Sequence, residues 1–345
     1  MKKFKLVIDW FFRVGLSVIL VIFVVVAPIS LFPSLLNDEA QVNRAQNLEH
    51  QGILELWHVE TFEGGSVSRS SFLEREAIIF EREHKGTFIS IQTMSLEQFK
   101  LNINNGKKPN ILSFGVGVEN SFISDLLEID AGDTRSDLKV YGKIGNRQYA
   151  VPYILGGYAL IYQNSLLKTN EDLTGVGLKG ATNPLNALNH LNKQIEKIYD
   201  DKTLDSYDAY DKFLKGNFGT LLGTQRDVYR VYNRQSKGLL NECDYEFLEG
   251  YTDLVQYISV FESEDAEQNL SLKFVARLLS EDVQKKLANY NLFSTLNNLN
   301  LYDSGIYKDF EKTLSKSITS INAFSTLDEI NLQKEEAYLK VVANK

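Results

Sequence analysis

The amino-acid sequence predicts an α/β protein held outside a membrane by one N-terminal transmembrane helix, and three observations carry that expectation. Residues 14–37 contain no charge, with Lys2, Lys3, Lys5 and Arg13 before them and Asp38 and Glu39 directly after. Residues 53–114 alternate strand-like and helix-like apolar patterns in the order β-α-β-α-β, which indicates a parallel sheet with crossover helices. Beyond the apolar segment about 300 residues of ordinary globular composition remain, enough for two lobes or domains with cores of their own.

The apolar segment comes first in the chain. A hydrocarbon core needs about 20 apolar residues at 1.5 Å rise each, and 14–37 supplies them, almost purely Val, Ile, Leu and Phe over 18–26. Basic residues before the span and acids after it put the N-terminus in the cytoplasm and the rest outside. Trp10, Phe11 and Phe12 stand where an interfacial aromatic anchor belongs. A cleaved signal peptide is the alternative, but its apolar region is about 7–15 residues and ends in small residues. Here Ala27 is followed by Pro28, and no cysteine is placed to carry a lipid, Cys243 being the only one. An uncleaved anchor is therefore expected over residues 1–37, followed by a polar linker over 38–52.

Composition narrows the function. The chain is 43% hydrophobic and 24% charged with a net charge of −8, so bulk electrostatics give no support to nucleic-acid binding. One cysteine cannot make an internal disulfide. His50, His58, His84 and His190 are scattered without a Cys or His at zinc-ligand spacing. No phosphate-binding loop, nucleophile elbow or internal repeat stands out. No cofactor and no metal are expected.

Along the chain, residues 53–59 (ILELWHV) read as a largely buried strand and 60–68 as a loop containing Gly64 and Gly65. Ser71 with Glu74 has capping-box spacing at the head of a helix that ends at Gly86. Residues 87–93 (TFISIQT) form a second strand. Ser95 with Gln98 repeats the capping spacing before a second helix, and 109–114 (PNILSF) form a third strand. Residues 149–154 and 158–162 are short apolar strands with a crossing point at Gly156 and Gly157. Residues 169–187 read as loop, 189–199 and 206–214 as helices and 218–222 as a strand. A helix over 225–234 opens with Thr224 and Asp227 at cap spacing. Residues 251–260 return as a strand. Helices follow from 272 with a restart at Ser280, then over about 304–314 and 326–342. In open α/β sheets ligands bind beyond the carboxyl ends of the strands, which directs attention to the loops at 60–68, 94–95 and 115–120.

The order of these segments resembles a known family. WHVETFEGGSVSRSSFLEREAIIFE (57–81) followed by PNILSFG (109–115) is similar to the first lobe of bacterial extracellular solute-binding proteins of family 1, the sugar-binding type that serves ABC importers. YAVPYILGGYALIYQN (149–164) resembles that family's crossover into lobe two. GTLLGTQRDVYRVYNR (219–234) resembles a strand and helix of lobe two, YTDLVQYISV (251–260) the return strand, and SLKFVARLLSEDVQKKL (271–287) the helix pair after it. The resemblance spans about residues 50–342. It departs in two places: the lipid-bearing cysteine usual in Gram-positive members is missing, and the segment between Asn164 and Phe218 is short.

What the resemblance implies is a two-lobed, type II periplasmic-binding-protein-like fold. Lobe one would comprise 53–152 with 253–303, and lobe two 153–252 with 304–345. Hinge closure around a small solute, expected to be a saccharide, would precede delivery to ABC permease subunits at the membrane. Within that frame Trp57, Phe62, Tyr153 and Tyr251 are candidate stacking surfaces for sugar rings, each weighed against packing in the core. Glu60 and Glu63 could accept hydroxyl hydrogen bonds, and Gly64 allows close backbone approach. Thr224, Gln225 and Arg226 open a helix whose free N–H groups favour polar ligand atoms. Ser113 and Gly115 close the third strand at the same face, and Asp253 sits on the return strand. Glu60 and Glu63 as a glycosidase pair is the weaker reading, since three residues of sequence show no separation across a scissile bond. The other alternative is a membrane-tethered sensor or interaction protein with the same fold and a degenerate cleft.

Overall fold

The computed structural model describes residues 51–62, 68–166, 173–199 and 203–342. Its first strands and helices follow the expected order: β1 (Gly52–Glu60), α1 (Arg69–Glu83), β2 (Thr87–Ser95), α2 (Leu96–Asn104) and β3 (Ile111–Phe114). A short helix α3 (Ser136–Lys139) and a hairpin of β4 (Lys143–Ile144) and β5 (Arg147–Gln148) lead to β6 (Val151–Leu155). Next come β7 (Tyr158–Gln163), β8 (Leu173–Val176), α4 (Leu185–His190), β9 (Lys197–Ile198), α5 (Ser206–Leu214), β10 (Thr220–Thr224), α6 (Gln225–Ser236) and β11 (Cys243–Phe247). Then β12 (Val255–Val260) is followed by α7 (Asp265–Leu278), α8 (Glu281–Gln284), α9 (Ile306–Leu314) and α10 (Leu327–Val341).

These strands form two five-stranded mixed sheets. The first has the order β2-β1-β3-β12-β6 and the second β11-β7-β10-β8-β9. In the first, β1 runs parallel to β2 and β3, while β12 is antiparallel to both β3 and β6. In the second, β7 is antiparallel to β10 and β11, and β8 is parallel to β10 and β9. The chain leaves the first sheet between β6 and β7 at Gly156 and Gly157 and returns between β11 and β12. The two passages are tied together, since Gly156 N–H donates to Leu254 O at 2.7 Å. Both glycines are needed for close approach. A Cβ on Gly156 would lie 2.7 Å from the Gln225 side chain, and one on Gly157 would lie 2.6 Å from the Phe310 ring.

One core cluster packs α1, α7 and α8 on the first sheet through Leu54, Leu56, Phe72, Phe80, Phe274 and Val283. A second is continuous from Trp57, Phe99 and Phe114 to Tyr158, Phe213, Phe218 and Val228. Cys243, the only cysteine, is buried, and burial pushes its thiol up to about 11.

Capping residues place the helix starts. Thr224 with Asp227 and Thr326 with Glu329 both form capping boxes, and Ser95 Oγ accepts the Gln98 N–H. The first helix departs from expectation. Ser68, not Ser71, is its N-cap, with Ser68 Oγ accepting the Ser71 N–H, so the helix begins at Arg69. Residues 169–187 hold β8 and the start of α4 rather than loop alone. The helix expected over 189–199 stops at His190. Asn192 turns the backbone left-handed with φ of 50°, and Ile195 N–H then bonds to Val341 O on the last helix. Among the described residues no helix is long and apolar enough to cross a membrane. The expected anchor and the linker up to residue 50 lie outside the described residues.

Candidate ligand-binding cleft

The carboxyl end of β1 opens onto a cavity of about 350 Å³ lined by loops and helix starts connected to both sheets. Glu60, Thr61 and Phe62 leave β1, and Ser68 and Arg69 open α1. Facing them are Lys179 and Thr182 from the loop after β8, Asp205, Ser206 and Tyr207 at the head of α5, and Arg226 in the first turn of α6. The cavity thus sits beyond the ends of parallel strands and against helix starts, where an α/β sheet is open to polar ligands.

An aromatic ring stands on each side, and each is backed by a guanidinium. Arg69, almost wholly buried, lies over the Phe62 ring with its Cζ 4.0 Å from the centroid, and its Nη2 donates to Phe62 O. Across the cavity Tyr207, 55% exposed, is flanked by Arg230 at 5.3 Å. Arg230 also lies 5.0 Å from the Tyr210 ring, and Arg234 Nε donates to Tyr210 Oη at 3.0 Å. Cation–π contact and planar stacking fix such rings more firmly than apolar packing alone.

Behind Arg69 a buried polar chain runs into the first sheet. Arg69 Nη1 donates to Gln256 Oε1 at 2.5 Å, and Gln256 Nε2 donates to Ser113 Oγ at 3.0 Å. Ser113 Oγ also meets Tyr153 Oη at 2.7 Å and His58 Nδ1 at 2.9 Å. Burial, reinforced by the nearby Arg69 charge, pulls the His58 imidazole down to about 3, so it is neutral at physiological pH. Burial raises the Tyr153 phenol. A second buried cluster lies where the chain returns to the first sheet. Asp253 accepts from Tyr158 Oη at 2.5 Å, from Asn183 N–H at 2.6 Å and from Tyr251 Oη at 3.3 Å. Burial raises the Asp253 carboxyl, opposed by those donors, and raises both phenols.

Of the residues singled out from the sequence, Glu60, Phe62 and Arg226 line the cavity. Glu63 and Gly64 lie outside the described residues. Trp57 does not face the cavity: strand alternation turns its ring to the opposite side of β1, where it packs edge-on against Phe99 at 6.3 Å. Ser113, Tyr153, Tyr251 and Asp253 are buried in the polar clusters just described. Gly115 backs the cavity wall, since a Cβ there would lie 2.0 Å from Thr61 Oγ1. Thr224 caps α6, and Gln225 Oε1 accepts the Gly157 N–H at 3.1 Å, which places it at the crossing rather than in the cavity. Sequence reasoning pointed to the loop that holds Thr61 and Ser68 without naming either, and missed Arg69, Lys179, Thr182, Asp205, Ser206 and Tyr207. Only Asp205, an acid three residues before Asp208 at a helix start, carried a local signal.

No protein-family model and no curated protein matches the chain. Solved structures do. The GacH receptor of Streptomyces glaucescens, described unliganded and with acarbose, matches with a TM-score of 0.59 at 15% identity, covering 85% of this chain and 99% of that one. A chitin oligosaccharide binding protein matches at 0.62 and 12%, covering 84% and 94%. The sugar-binding protein MalE from Xanthomonas citri matches at 0.59 and 12%, covering 84% and 91%. The chain has their fold. At these identities it is the two-sheet arrangement that is shared, and the side chains of the cavity are this chain's own.

Proposed function

We propose that this chain is an extracytoplasmic receptor that binds a small saccharide between its two sheets and delivers it to an ABC permease. The observation that carries the reading is the pair of opposed, guanidinium-backed rings Phe62 and Tyr207 across one cavity. Sugar rings present C–H faces that stack on aromatics, and their hydroxyls need mixed donors and acceptors. Glu60 and Asp205 accept; Lys179 and Arg226 donate. The solved structures sharing the fold include receptors for sugars, which supports the same class of ligand here. The cavity volume is at the small end of the span of about 300–1,000 Å³ usual for small-molecule sites, which favours one or two sugar rings.

In this reading residues 53–152 with 253–303 form lobe one, and 153–252 with 304–345 form lobe two. They close about the passages at Gly156 with Gly157 and at residues 248–254. No bond is broken. Residues 14–37 tether the body to the membrane in place of a lipid, and a linker of about fourteen residues reaches at most roughly 50 Å.

Titration calorimetry against mono- and disaccharides and short maltodextrin and chitin oligosaccharides tests the proposal. At least one should bind, and Phe62→Ala and Tyr207→Ala should each weaken it by about tenfold. Absence of heat across the panel from folded protein would sink it, and capture of a membrane kinase in place of permease subunits would favour a sensor.

A further inference from the structure

Residues 177–183 (GLKGATN) carry two of the groups that line the cavity, Lys179 and Thr182. This loop is held from several directions. Leu178 N–H and Lys179 N–H both donate to Leu204 O at 2.9 Å, and Asn183 N–H donates to Asp253 at 2.6 Å. A further hold comes from α10. Lys334, only 7% exposed, sends its Nζ to Leu178 O at 2.9 Å and to Gly180 O. Those carbonyls stand on either side of Lys179.

Helix α10 also reaches the first sheet's side. Gly117 N–H donates to Ser325 O at 2.9 Å, just ahead of the helix. A Cβ on Gly117 would lie 2.6 Å from Ala181 Cβ and 3.6 Å from Ile330 Cδ1. The loop, the turn after β3 and the first turns of α10 therefore meet at one point. From there the helix runs along the loop to the Lys334 contact.

A buried ammonium set on carbonyls is a costly way to fasten a helix, because desolvating the charge outweighs what neutral acceptors return. Burial pulls the Lys334 ammonium down to about 8, with the Asp253 charge acting in the opposite sense. An apolar side chain would pack there at lower cost. What only a donor group does is fix the direction of two carbonyls, and with them the peptide units that bracket Lys179.

The geometry points to Lys334 as a positioning residue for the cleft: it orients loop 177–183 so that Lys179 presents its ammonium to the saccharide. This rests on the proposed use of the cavity, but its test separates the two. In the full chain, Lys334→Met removes the donor at similar length and Lys334→Arg restores one. Amide hydrogen exchange needs no ligand. Lys334→Met should speed exchange at 179–182 by at least about tenfold while leaving β7 and β10 as protected as before, with no fall in thermal midpoint. Lys334→Arg should recover much of that protection. With maltotriose and triacetylchitotriose as probes, Lys334→Met should weaken whichever binds by about tenfold, and Lys334→Arg by less. Unchanged loop exchange in Lys334→Met would overturn the proposal, as would a uniform rise across the second sheet with a lowered midpoint, which marks general structural support. If neither probe binds the unaltered chain, the saccharide reading suffers while the exchange result still decides the role of Lys334.

Discussion

Arg69 does three things at one position. It starts α1, holds the backbone and ring of Phe62, and passes a hydrogen bond through Gln256 to Ser113. A lysine could supply the charge but not the planar surface or the two directed donors. His58 lies further along the same chain and is fully buried. Its imidazole is held near 3 against an ordinary 6.5. In that window the unfolded chain binds a proton that the folded chain refuses, so stability is intact above about pH 6.5 and falls as pH drops towards 3. The slope from this one group reaches about 1.4 kcal/mol per pH unit. Urea unfolding between pH 3 and 7 should show it, and His58→Gln should remove that part of the acid dependence. An identical pH profile in the variant would assign the acid lability to other groups.

At the scale of elements, strands and helices with long apolar periodicity or a complete cap were legible in the sequence. β1, β3, β6, β7 and β12 read correctly because they are largely buried runs, β2 because buried Thr87 and Ile89 alternate with exposed Phe88 and Ser90, and α6 because Thr224 with Asp227 marks its start; α10 was placed without its capping box of Thr326 and Glu329. What failed to read has physical causes. β8 is four residues long with Gly175 inside it, a glycine kept because the Phe218 ring fills the space a Cβ would need. β11 (CDYEF) is a polar edge strand without a clean alternation. The stretch after His190 has helical composition but is captured by the end of α10. The cleft was the least legible part. Its members come from residues 60–69, 179–182, 205–207 and 226, and no local pattern joins positions that only the crossing of the two sheets brings together. The crossing itself offers a direct test. Gly157→Ala would push a methyl into Phe310 and Leu314 and should cost about 1–3 kcal/mol in urea unfolding. A neutral result would mean that α9 shifts freely away.

For the whole molecule, the proposed cycle is hinge closure, and it should be visible as a smaller radius of gyration by small-angle scattering once a bound saccharide saturates the cleft. No change at saturation would leave a binding protein that does not close. The tether is testable separately. Fractionated cells should retain the full-length chain in the membrane with its initiating residues intact, and a mature N-terminus near residues 28–40 would mean release instead.

The position of β12 has a further consequence for how the chain is made. It lies between β3 and β6, yet it is encoded more than a hundred residues after β3. During synthesis or export, the strands of the first sheet emerge early and cannot close until residue 260 has followed them. The strands of the second sheet, residues 158–247, are contiguous and ready sooner. The sheet that begins second is thus the first able to assemble. The N-terminal strands must stay unaggregated through that interval, and the delay is longest for β1, the first of them to emerge.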